Sequence, residues 1–83
     1  MRKQFLEAVE SYLAGTMSLD SFEKWLLGHL QQLITMPDSV TRAIANEVDT
    51  DFVHLSEELI DEAEFRRRLE RYVAGLRTIP INR

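Results

Sequence analysis

Glu47, Asp51, His54 and Glu58 are spaced four, three and four residues apart, so three carboxylates and an imidazole line one face of a helix. Helical bundles that hold metal ions use a carboxylate and a histidine three residues apart, as Asp51 and His54 are. They also need a second such pair and further carboxylates from facing helices. The other histidine, His29, has Leu26 where that carboxylate would stand. The set is therefore read as an acidic stripe beside the core seam, and no metal or other cofactor is expected. Like charges at 47 and 51 cost a helix about a few tenths of a kcal/mol, and neither has a cation four residues away. Either arginines of the following segment (Arg66, Arg67, Arg68, Arg71) neutralise the stripe within the molecule, or a basic partner does.

His29 lies within an apolar arc between Leu26 and Leu33, the setting of a hydrogen-bonded core or rim residue. No Ser or Asp at a triad-like spacing supports it as a base. Trp25, at the edge of the same arc, suits core packing and also suits an interface anchor. The expected partner-binding residues are Glu47, Asp51, His54, Glu58 and Trp25. No glycine-rich phosphate loop, zinc spacing, EF-hand loop or base-stacking platform is present. The reading is non-enzymatic.

Eighty-three residues, 45% hydrophobic and 29% charged, suit one ordinary globular domain. There is no cysteine, which removes disulfides, thiolate metal sites and cysteine nucleophiles and makes the cytoplasm the default setting. No apolar run approaches the ~18 residues of a membrane span, and Gln4, Glu7 and Glu10 interrupt any signal-peptide core. The net charge of −4 is unevenly spread. Residues 46–64 hold eight acids and no Lys or Arg, whereas residues 65–83 hold six Arg against Glu70. An overall acidic chain argues against nucleic-acid binding.

Four helices are predicted, at about 3–14, 19–35, 38–56 and 62–74, with an extended tail over 76–83, all in one domain spanning 1–83. Phe5, Leu6, Val9, Tyr12 and Leu13 give the first its helical spacing, and Gly15 stops it. Ser18 caps the second, with Met17 and Phe22 as a hydrophobic staple. Pro37 breaks it. Val40, Ile44, Val48, Phe52 and Leu55 make the third. Asp61 with Glu64, and Ile60 with Phe65, repeat the cap and the staple before the fourth, which is expected to stop at Gly75.

At an offset of 43, Met17, Ser18, Phe22 and Leu26 fall on Ile60, Asp61, Phe65 and Leu69, and Val9 and Tyr12 on Phe52 and Leu55. Each helical pair has an uncovered apolar face, and two together bury both. The expected fold is all-α, a compact antiparallel four-helix bundle made of two αα-hairpins. Leu27 and Ile34 widen the apolar face of the second helix to about half the cylinder: either one neighbouring hairpin covers it all, or it exposes a patch suited to a homodimer or a partner.

The stretch from Val9 to Leu27, with "YLAG", "MS", "FE" and "WLL", resembles a pattern in small, mostly uncharacterised bacterial helical proteins, and "FRRRL" stands where those place a second capped helix. More distantly, the layout is similar to colicin-like immunity proteins of the colicin D type. Leu13, Ala14, Met17, Ser18 and Phe22 are the matching positions. The resemblance implies a four-helix protein that binds a toxin's catalytic domain and covers a nuclease's substrate site with an acidic surface. The matching positions are structural, and no toxin-contacting residue carries over. The expected function is a protein-binding module, an immunity or inhibitor protein masking a basic partner. The alternative is a structural or self-associating module that dimerises through the apolar side of the second helix.

Overall fold

Ser18 and Asp38 each accept a backbone N–H three residues on, from Ser21 at 3.1 Å and Thr41 at 3.2 Å, and so start two of the helices. Asp61 does the same for Glu64 at 2.8 Å. In the structure, a computed structural model that describes residues 1–78, the chain forms α1 (Arg2–Leu13), α2 (Leu19–Thr35), α3 (Ser39–Ser56) and α4 (Glu62–Thr78). No strand occurs among the described residues. α1 packs on α2 and α4, and α3 also packs on α2 and α4, which fits a helical bundle.

Four boundaries differ from expectation. α1 runs Arg2–Leu13, one residue earlier at each end than the expected 3–14. Asp38 is the cap of α3 rather than its first residue. α4 runs through Gly75 to Thr78 instead of stopping, so residues 76–78 of the expected tail are helical. A helical glycine costs about 1 kcal/mol, but continuing the helix buries Leu76 to 3% exposure, worth about 1.5–3 kcal/mol. Burial wins. The remainder of the tail lies outside the described residues.

The core is contiguous and runs the length of all four helices. One aromatic ring from each helix closes a cycle. Tyr12 stacks on Phe22 at 5.4 Å between centroids, Phe22 meets Phe52 at 5.5 Å, Phe52 meets Phe65 at 4.8 Å, and Phe65 returns to Tyr12 at 5.9 Å. Offset and tilted arrangements of this kind suit the ring quadrupoles.

The 43-residue repeat reaches further than the sequence suggested. Arg2, Phe5, Ala8, Val9, Phe22, Leu26 and Leu33 are buried, and so are their counterparts Ala45, Val48, Asp51, Phe52, Phe65, Leu69 and Leu76. The turns repeat as well. α1 ends with Gly15 at φ 85°, its N–H on the Tyr12 carbonyl and the Thr16 N–H on the Ser11 carbonyl. α3 ends in the same way on Glu58, at φ 61°, with the Glu58 N–H on Leu55 and the Leu59 N–H on His54. Both are Schellman turns, and the second places a glutamate where a glycine belongs.

Candidate functional site

The predicted stripe does not assemble as one surface. Asp51 is a correction: it is buried, 2% exposed, not solvated. Its carboxylate accepts from Arg68 Nη1 at 2.8 Å and from the Tyr72 hydroxyl at 2.6 Å. A buried charge needs such partners, because desolvation alone would cost several kcal/mol. Burial pushes the Tyr72 hydroxyl well above its ordinary pKa, and the hydrogen bond to Asp51 and the charges of Asp51 and Glu47 add to it. Glu47 is exposed at the outer edge of this network. His54 is half-buried, with its backbone carbonyl taken by the Schellman turn. Glu58 is exposed, but it lies in the turn after α3 rather than on the helix.

Trp25 is half-buried between His29, 4.3 Å away and nearly parallel, and Phe5 at 6.4 Å. His29 donates from Nδ1 to the Trp25 carbonyl at 2.8 Å, which holds its ring over the indole. These residues sit at the α1–α2 seam, and the structure does not join them to Glu47, His54 or Glu58 as one site.

The arginines account for part of the acid. Arg68 bonds Glu64 at 3.0 Å as well as Asp51, and Arg67 bonds Glu64 at 2.6 Å. These arginines, Arg67 first, hold the Glu64 carboxyl below its usual range. Arg66 turns the other way. It donates to the Leu13 carbonyl at 2.6 Å and lies 5.0 Å from the Tyr12 ring centre, closing the end of α1. Tyr12 in turn donates to Glu62 at 2.6 Å, and burial first, then that bond, pushes its hydroxyl up to about 12.

Acid without an ion pair among the described residues stands at Glu7, Glu23, Glu47, Asp49 and Glu70, and also at the α3–α4 turn. Glu57 and Glu58 are exposed and make no ion pair among the described residues. Asp61, which caps α4, and Glu62, which accepts from Tyr12, are exposed beside them. Leu59 stands in their midst, 67% exposed, on a shallow depression lined by Leu55, Glu58, Leu59, Ile60 and Asp61. This turn has the chemistry of a docking surface, with charge at the rim and an apolar side chain at the centre. Among the described residues, no group of three or more His, Asp or Glu could hold a metal ion, and no helix is long and apolar enough to cross a membrane.

The sequence reading missed three links. Asp51 precedes core residue Phe52 and falls on Ala8 in the repeat, which marks it as inward-facing. Arg2 lies three residues before Phe5, on the apolar face of α1, and it binds Asp38 at 2.7 Å and Thr41 at 3.0 Å. The Tyr12–Glu62 bond carries no local signal, since its residues are fifty positions apart. The chain matches no family model, no curated protein and no solved structure.

Proposed function

We propose that this chain is a non-enzymatic protein-binding module, an inhibitor of the immunity type that covers a basic, nuclease-like partner with the acidic α3–α4 turn. The observation that carries this reading is the pairing pattern. Arg66, Arg67 and Arg68 are engaged within the molecule, whereas Glu57 and Glu58 face solvent around the exposed Leu59. Rim charges of this kind steer association with a partner of opposite sign. The similarity to colicin D type immunity proteins and the absence of cysteine suit a bacterial cytoplasmic setting. The architecture we attach to this reading is two antiparallel hairpins. Connections of a few residues at 14–18, 36–38 and 57–61 support it, as do the bonds of Tyr12 and Leu13 to Glu62 and Arg66.

The test is affinity capture from the native host with the wild-type chain and with Glu57→Gln/Glu58→Gln. A basic protein held by the wild type, released by salt and lost from the variant is expected. Equal retention by both chains overturns the reading.

A second reading has its own observation. Leu27 and Ile34, seven residues apart on α2, are 60% and 38% exposed. A self-associating module would bury them in a homodimer. Light scattering would then give a dimer that Leu27→Lys returns to monomer.

A further inference from the structure

We infer that the α2–α3 junction is a latched hinge across which two copies of the chain exchange halves when the latch is released. The inference rests on the two-hairpin reading above. The halves bury matching positions at a 43-residue offset, from Arg2/Ala45 to Leu33/Leu76. A second copy therefore offers each half the same cover that its own chain does, and exchange preserves the core contacts. What separates the closed and exchanged forms is the junction.

That junction is Met36–Pro37–Asp38, with extended backbone at Met36 (ψ 154°) and Asp38 (ψ 97°). Pro37 keeps it bent, because its ring disfavours helix at Met36 and, within a helix, clashes with the carbonyl four residues back. With alanine there, residues 19–56 could run as one helix, with the two halves too far apart to pack on each other. A clamp adds to the proline. Arg2 donates to both Asp38 oxygens, at 2.7 and 3.0 Å, and to the Thr41 hydroxyl at 3.0 Å, while Arg42 donates to the Met36 carbonyl at 2.8 Å. A straightened helix would place Asp38 in its interior, where it caps nothing and loses Arg2.

The test is Pro37→Ala, measured by size exclusion with light scattering. The expected result is a doubling of mass relative to the wild-type chain. Isotope-filtered NMR on a dimer mixed from labelled and unlabelled chains should then show Tyr12–Phe65 and Phe22–Phe52 contacts between chains. Should Pro37→Ala fail to fold by circular dichroism, Arg2→Met, refolded at high concentration, is expected to give the same exchanged dimer. Monomers from each folded variant overturn the inference. A dimer whose ring contacts stay within one chain also overturns it and points to the Leu27–Ile34 face. Wild-type protein lacking those two ring contacts would instead overturn the two-hairpin reading.

Discussion

Asp51 and Arg68 form an ion pair with unequal ends, 2.8 Å apart, the acid 2% exposed and the cation 27% exposed. Removing the acid leaves Arg68 with Glu64 and water, but it also strands the Tyr72 hydroxyl inside. Asp51→Ala, which writes the residue of the matching position Ala8, should therefore cost about 2–3 kcal/mol. The triple change Asp51→Ala/Arg68→Leu/Tyr72→Phe should recover most of that loss, since an apolar set replaces a buried charge without an orphan. Urea unfolding of the variants gives the answer. Equal losses for the single and triple changes would show that packing, not charge satisfaction, governs the site.

Acid should loosen the opposite end of the molecule. The Arg2 guanidinium first, and then Thr41, hold the Asp38 carboxyl down at about 2, against an ordinary 3.8. The folded-state value is depressed, so its contribution is present above the ordinary value and is lost as pH falls through about 4 to about 2. The side chain is only 10% exposed, and the shift corresponds to about 2 kcal/mol. Asp38→Asn should be less stable than wild type by about that amount at neutral pH, and the two should converge near pH ~2. Parallel stability curves down to that pH would show that the clamp contributes nothing.

Glu58 occupies a left-handed backbone position, φ 61°, that its counterpart fills with Gly15 at φ 85°. Such a conformation costs a residue with a Cβ about 1–2 kcal/mol. Glu58→Gly should stabilise the free protein by about 1 kcal/mol. Under the proposed function, the same change should slow association with a basic partner, because an exposed rim charge is lost. Thermal melting and binding kinetics on one variant separate the two effects. A lower melting temperature would mean that the Glu58 side chain holds the turn.

The four helices were legible because their signals are local. Caps at Ser18 and Asp61, the break at Pro37 and apolar spacing all act within a few residues. The fate of the charges was not legible in this way. Glu47, Asp51 and Glu58 look alike as a spacing pattern, yet one is solvated, one is buried and one has left the helix. Their difference is set by partners on another element, Arg68 and Tyr72 on α4, and by a turn that ends α3 before Glu58. The continuation of α4 past Gly75 has the same kind of cause, since only the assembled core makes burying Leu76 worth a helical glycine.

Phe22 and Phe65 stand at matching positions of the repeat, both fully buried, and both touch Tyr12 and Phe52 in the aromatic cycle. Phe22→Ala and Phe65→Ala should each cost about 3–5 kcal/mol through lost burial and the cavity left behind. A domain of this length has only about 4–12 kcal/mol in total, so either change brings it close to unfolding. The two effects should not add, because the rings share both neighbours and the second truncation widens a gap already opened. Urea midpoints for the single variants, and for the double in a stabilising salt, test this. If Phe22→Ala left the midpoint near wild type while Phe65→Ala unfolded the chain, the two halves would not be energetic equivalents. The repeat would then describe shape alone.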